Sequence, residues 1–365
     1  MILTLPSANI NFRFIAGGNR MEIPRKKIIF VLSISLTAIA PVPTTGCSSI
    51  LQTLHPFTST CGMDNTISPK EREAIDQAAL EFVQNALGPN PMVAYAAYTA
   101  QVKASISSEK FVAMFQQGVQ QMGPFKDLHV THTYLAEVTG GSQAESVVCG
   151  NLSSPEGWVA IIVNPGPAQA YVIVEGQTVN NTWVFVTWLA QEQGKWRIQH
   201  IQVATATMVG KSAQDLQKIA DAEKQKHHNW NAYILYTAAL QLAARGPNFQ
   251  LGIQPEIQKG MGDLQVPHHL QGQPPFTWEF GRSSFKVLNV GPIGVGGKIY
   301  LQIDHEIDPW AKNTDADNKN HELISVFAKT YPEYKDAFAG LVVRAHERGG
   351  SRGFGTVEEN EVPSK

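Results

Sequence analysis

The spacing of apolar residues changes twice along this chain, and the two changes limit its fold more than any motif does. From Ser68 to Gly123 apolar residues recur at helical spacing; Ile75, Ala78, Ala79, Phe82 and Ala86 are the clearest run. From Leu128 to Thr207 they alternate instead, in six β-rich stretches punctuated by Gly and Asn. A helix repeats every 3.6 residues and a strand every 2, so neither pattern can form the other element. After Gly210 the helical spacing returns. Helices first and then a run of antiparallel strands predict an α+β domain, with the helices gathered on one face of a curved sheet.

Local signals place the boundaries. Ser68-Pro69-Lys70-Glu71 has the form of a capping box with Pro at the first helical position, and Gly88-Pro89 closes that helix. A second helix is expected over 92–103 and a third from Ser107-Ser108 to Gly123-Pro124. Asn180-Asn181 and Gln193-Gly194 predict hairpin turns. Ser212 to Asp215 caps a helix to about Lys226, and a very apolar helix follows from Trp230 to Arg245, where Gly246-Pro247 stops it. This pair resembles one helical hairpin of the tetratricopeptide type. Such units need neighbours, so it is expected to dock on the first domain. Residues 261–280, rich in Gly, Pro, Gln and His, are expected to be a linker. Residues 281–360 predict a small ββαβ module, with helix from about Asn320 to Glu347, an internal capping box at Thr330-Tyr331-Pro332-Glu333 and a last strand near Phe354.

The front of the chain has a different character. Arg25, Lys26 and Lys27 precede an apolar run from Ile28 to Ala40. That run is too short to span a bilayer but suits the core of a signal peptide. Met21 begins this unit, so residues 1–20 are expected to be an upstream extension. Ala38-Ile39-Ala40 has the form of an ordinary cleavage site, but Pro41 follows it. Thr44-Thr45-Gly46-Cys47 resembles the lipobox of bacterial lipoproteins, with Thr44 where that family usually has Leu. The resemblance implies cleavage before Cys47, lipidation of its thiol and an outer-membrane or cell-surface location. A secreted protein with Cys47 in a disulfide is the alternative. Residues 1–46 are then a signal peptide and 47–67 a tether.

Composition narrows the partners. Lys and Arg number 29 against 31 Asp and Glu. Five of those bases (Arg13, Arg20, Arg25, Lys26, Lys27) and the acid Glu22 lie before Cys47, so the remainder is clearly acidic. With no basic stripe, nucleic acid is not an expected partner. The expected ones are the membrane, through the lipid, and a protein or a small apolar ligand. Cys61 and Cys149 can pair in an oxidising compartment, and Cys149 also suits a buried core position.

Helix, helix, helix, then hairpins ending in Gly194-Lys195-Trp196-Arg197-Ile198 resembles the NTF2-like (cystatin-like cone) superfamily over residues 69–209. That resemblance implies a bent sheet wrapped around the first helix, with an apolar pocket between. Tyr95, Tyr98, Phe115, Trp183 and Trp188 are the candidate pocket residues, together with Tyr134, Tyr171 and Phe185. His200 shares strand parity with Trp196 and Ile198, so it is expected to point the same way. Enzymes of the superfamily use an Asp, Glu or His there as general base, which makes His200, Tyr171 and Glu175 the candidates for a hydrolase or isomerase. The residues offer no paired nucleophile, so a binding or scaffolding module is the leading expectation.

Other constellations have simpler explanations. The glycines of 291–297 precede a strand, whereas a phosphate loop needs a helix N-terminus there. The Ser-x-x-Lys spacings at Ser107 and Ser283 lack the partner motifs of acyl-serine enzymes. Alternation puts Gln302, Asp304 and Glu306 of the acidic cluster around Trp310 toward water. The adjacent pairs His227-His228 and His268-His269 point in different directions on a helix. No cofactor or metal is expected.

Overall fold

The computed structural model describes residues 58–179 and 181–360. The expected signal peptide and Cys47 lie outside them, as does most of the expected tether. The described residues belong to one compact unit. It is a mixed α+β structure whose sheets are antiparallel except at one pair of strands.

The first half is built on a five-stranded sheet. β1 is Thr58–Met63, and a 3-10 turn leads from it to α1, Pro69–Leu87. Thus the last part of the expected tether is an edge strand, paired with the next strand from Thr58↔Thr139 to Met63↔Tyr134. Ser68 is the N-cap of α1 by position, but its side chain makes no capping bond. The expected second helix is two short ones, α2 (Met92–Ala96) and α3 (Ala100–Ser105). Between them Tyr98 bridges to Ile198, and Thr99 accepts from the Val102 amide to start α3. α4, Ser108–Met122, is capped by Ser107. The strands β2 (Lys126–Thr139), β3 (Glu145–Gly150), β4 (Trp158–Val163), β5 (Gly166–Gln177), β6 (Thr182–Glu192) and β7 (Lys195–Thr205) follow. Gln193 and Gly194 both have positive φ in the turn from β6 to β7, the conformation a two-residue hairpin turn needs.

The main sheet has the order β1-β2-β5-β6-β7. One face packs on α1, α2 and α4 through Ile75, Phe82, Phe111, Val172, Phe185 and Leu189. The other packs on a small sheet that contains β3 and β4, through Tyr134, Tyr171, Ile173, Val147 and Ile161. Both faces of the middle strand are covered, which is why Gln169 to Val174 are all buried. A disulfide from Cys61 on β1 to Cys149 on β3 joins the two sheets.

After two short strands, β8 (Thr207–Met208) and β9 (Lys211–Ser212), come α5 (Ala213–Gln225) and α6 (Asn229–Ala243). The Ser212–Asp215 capping box of α5 is formed in both directions. β10, Phe249–Leu251, then returns to the first half and pairs with β4. α7 is Ile253–Met261. The return passes through Gly252, where a Cβ would lie 2.4 Å from the Pro155 carbonyl oxygen and 2.5 Å from the Trp158 indole nitrogen.

The last part is a second five-stranded sheet of β11 (Phe276–Phe280), β12 (Ser283–Val295), β13 (Lys298–Ile307), β14 (Gly340–Glu347) and β15 (Gly353–Glu359), in that spatial order. α8 (Asn313–Thr330) and a single turn, α9 (Tyr334–Ala337), cross from β13 to its parallel neighbour β14. Three expectations are corrected here. The end of the supposed linker is the edge strand β11. Residues 340–347, expected as helix, form β14. No capping box forms at Thr330, whose hydroxyl bonds back to the Val326 carbonyl. The expected docking of the helical hairpin is also reversed. Leu216, Leu235, Tyr236 and Leu242 share one core with Trp278, Phe285, Leu301, Leu323 and Phe327, so the hairpin covers the second sheet beside α8. α6 touches α5, α7, β12 and α9. It is apolar all round because it is covered all round.

Candidate functional site

The expected aromatic pocket is divided by the main sheet. Tyr98, Phe115 and Phe185 face the helices, with Tyr95 and Trp183 packed beside them. The rings pack on one another there: Phe82 lies 5.2 Å from Tyr98 and 6.4 Å from Phe111, and Phe111 lies 4.6 Å from Phe115. The Tyr95 hydroxyl donates to the Ile106 carbonyl at 2.9 Å. These are ring contacts of a packed core.

On the opposite face a row of side chains crosses the sheet. Met63, Tyr134, Tyr171, Trp188 and His200 are successive cross-strand partners on β1, β2, β5, β6 and β7. Tyr171 and Trp188 stack at 5.4 Å, and Phe249 of β10 packs on Tyr134 and Tyr171. His200 belongs to this row because of a β-bulge. Trp188 pairs with His200, but the next residue, Leu189, pairs with Ile198. Gln199 is therefore the extra residue of β7, and it shifts the alternation by one. Ile198 stays on the helix face and His200 turns away from it, against the expectation from parity.

Around this row a cleft of about 20 Å³ forms where the segment after α6 crosses β6 and β7. It has room for one water-sized group. Its lining includes Tyr171, Trp188, His200, Gln202, Arg245 and Asn248. Arg245 is the unusual member, with 9% of its surface exposed. Its Nη1 donates to the carbonyls of Leu242, at 2.6 Å, and Ala244, at 3.0 Å, at the end of α6. Burial pushes the guanidinium down to about 10, while the charges of Glu175 and Tyr134 act the other way. It stays charged at neutral pH. Among the described residues it makes no ion pair. The Trp188 indole nitrogen is buried without a hydrogen-bond partner among the described residues. Tyr171 is committed, its hydroxyl donating to the Ile162 carbonyl at 2.8 Å, and burial raises its pKa. His200 is exposed at the edge, and the atoms crowded about its ring lower its pKa. Glu175 lies further along β5, half-buried, opposite His129 and Val184.

The arrangement is thus a buried cation beside an unpaired donor, at the mouth of an aromatic row. No local signal in the sequence marks Arg245. It is one Arg at a helix end, and its neighbours assemble only when β10 returns to β4.

Two other polar clusters hold parts of the fold together. Ligand atoms of Glu223, His228 and Asp336 lie within 4.8 Å of one another, a set that adjacency of His227 and His228 does not reveal. Lys226 supplies the positive charge there, at 2.8 Å from Glu223 and 3.9 Å from Asp336. Asn231 bonds both Glu223 and the Glu333 carbonyl, tying α6 to the crossover before α9. In the second sheet Gln302 and Asp304 are buried, contrary to the expected exposure. They lie on the face away from α8, and Asp304 accepts from Gln302 at 2.8 Å beside His346 and Arg344. Ser283, from one Ser-x-x-Lys spacing, donates to Glu322.

No protein-family model, curated protein or solved structure matches the chain.

Proposed function

We propose that the chain is a binding or scaffolding protein of the cell envelope, anchored by lipid on Cys47, whose residues 69–209 form an NTF2-like cone. Three helical segments against one face of an antiparallel sheet support the cone reading. The disulfide between β1 and β3 suits an oxidising compartment. No helix among the described residues is long and apolar enough to cross a membrane.

One observation carries the choice of binding over catalysis. The helix face, where the superfamily's enzymes keep a pocket, is filled with rings, and His200 stands on the other face. A general base must reach its proton within hydrogen-bond distance and be oriented by a partner. His200 makes no hydrogen bond or ion pair to the described residues, Tyr171 is committed to a carbonyl, and Glu175 lies elsewhere on β5.

The test is His200→Ala in a complementation assay, scored against protein level. An exposed side chain without partners leaves stability within about 0.5 kcal/mol, so the variant should accumulate and function as the parent does. A variant that accumulates normally yet loses all function would put the hydrolase or isomerase reading first. Labelling with a palmitate analogue checks the anchor separately: Cys47→Ser should abolish the label.

A further inference from the structure

We infer that the cleft under the segment after α6 receives the carboxylate group of a small monoanionic ligand, gripped by Arg245. The inference is independent of the lipid anchor and of the cone reading.

Three observations converge on an acceptor. Arg245 is a fixed cation in an almost closed setting. A buried charge is costly unless it is paired, and among the described residues no carboxylate reaches it. Glu175 acts on it only through its field. A guanidinium carries five N–H donors. The bonds to Leu242 and Ala244 both come from Nη1, which leaves the edge formed by Nε and Nη2 without a partner among the described residues. That edge is the one that holds a carboxylate through two parallel bonds. The third observation is the Trp188 indole N–H, buried and unpartnered, on the lining of the same cleft. A buried donor left unmade costs about 1–3 kcal/mol. Arg245 and Trp188 therefore line one cavity, and a single anionic acceptor there serves the charge of one and the unpartnered donor of the other.

Size and charge narrow the ligand further. The enclosed part takes only one water-sized group, so a single carboxylate oxygen enters and the rest of the ligand stays at the mouth. The exposed His200 lines the mouth, and its lowered pKa keeps the ring neutral. One cation balances one negative charge, which favours a monoanion over a phosphate dianion.

The seven Trp residues of the protein give an atom-level readout. The protein, labelled with ¹⁵N at Trp, is titrated with acetate, chloride and phosphate at constant ionic strength held by a bulky sulfonate buffer. Trp188→Phe identifies the Trp188 indole resonance by its loss. Acetate should move that resonance saturably, with a weaker response to chloride and phosphate, and Arg245→Gln should remove the saturable part. Should Arg245→Gln fail to fold, the wild-type titration decides alone, supported by a melting temperature that rises with acetate in the wild type and less in Trp188→Phe. A Trp188 signal that does not move, moves only linearly with concentration, or answers chloride or phosphate more strongly than acetate overturns the assignment. An undiminished response in a folded Arg245→Gln overturns it too.

Discussion

Gln199 is a half-buried polar residue, yet its place in β7 decides which side of the sheet His200 faces. Alternation alone predicts His200 beside Ile198, and a single bulge residue reverses that. Nothing local in Trp196 to His200 marks the bulge, because it is set by pairing with Leu189 and Trp188. The same limit hid Arg245, whose surroundings come from four separated segments. Glu223 differs, since Ser212, Asp215 and the α5 spacing already placed its helix. Its side chain is 2% exposed and accepts bonds from Asn231, Lys226 and His228. Burial opposes its charge, but these bonds outweigh it and hold the carboxyl below its usual value. A carboxyl lowered in the folded state adds stability above its unfolded pKa, about 4.3. That contribution fades as pH falls through the lower folded value. Glu223→Gln should therefore cost about 1–3 kcal/mol at neutral pH, with the gap from wild type closing below about pH 4. Urea unfolding at pH 7 and pH 3.5 measures it, and a gap that widens in acid would show that the bonds do not favour the ionised form.

Among the elements, period marked those with one buried face, and turns marked some of those buried on both. α1 and α4 show clean helical periodicity because one side of each is apolar, whereas β5, buried on both faces from Gln169 to Val174, was legible from its β-branched residues and the turns that bound it. The run Leu341-Val342-Val343 is apolar without interruption, and short runs of that kind do not separate helix from strand. It became β14 because it lies between β13 and β15 under α8. β1 was unreadable for another reason: Thr58 to Met63 is polar, and its place depends on β2 and on the bond from Cys61. That bond closes a sequence separation of 88 residues between β1 and β3. On loop entropy a closure of that length is worth about 4–5 kcal/mol, and losses on removing native disulfides run at about 2–5 kcal/mol. Cys61→Ser with Cys149→Ser should lower stability within that range, and dithiothreitol should do the same to the wild type. Hydrogen exchange in the double variant should rise first in β1, the edge strand, while β5 stays protected. Equal loss of protection in both strands would mean that β1 is part of the cooperative core.

At the scale of the whole molecule, sequence order and spatial order part company. The α+β class follows from the changes of period, but the division into a domain at 69–209, a hairpin at 212–260 and a module at 281–360 cuts through two cores. β1 lies before the first boundary and completes the main sheet. β10 lies after it and completes the small one, where Phe249 seals Tyr134 and Tyr171. The hairpin between them packs on the second sheet, and an all-apolar helix such as α6 could not reveal which neighbour it covers. A fragment of residues 69–209 therefore lacks one edge strand, one disulfide partner and the residue that closes the space between the sheets. It should bind a hydrophobic dye and lack a sharp near-ultraviolet signal. Extending it to 261 restores β1 and β10 if the start is moved to 58, but it exposes Leu235, Tyr236 and Leu242, whose partners are Trp278, Phe285 and Phe327. The smallest piece with all its cores covered is 58–360. Its parts share strands and a helical hairpin, so they should unfold together, with one calorimetric peak whose enthalpy equals the van't Hoff value. Two separated peaks, or a 69–209 fragment with a cooperative melt of its own, would show that β10 and the hairpin are accessories to a first domain that stands alone.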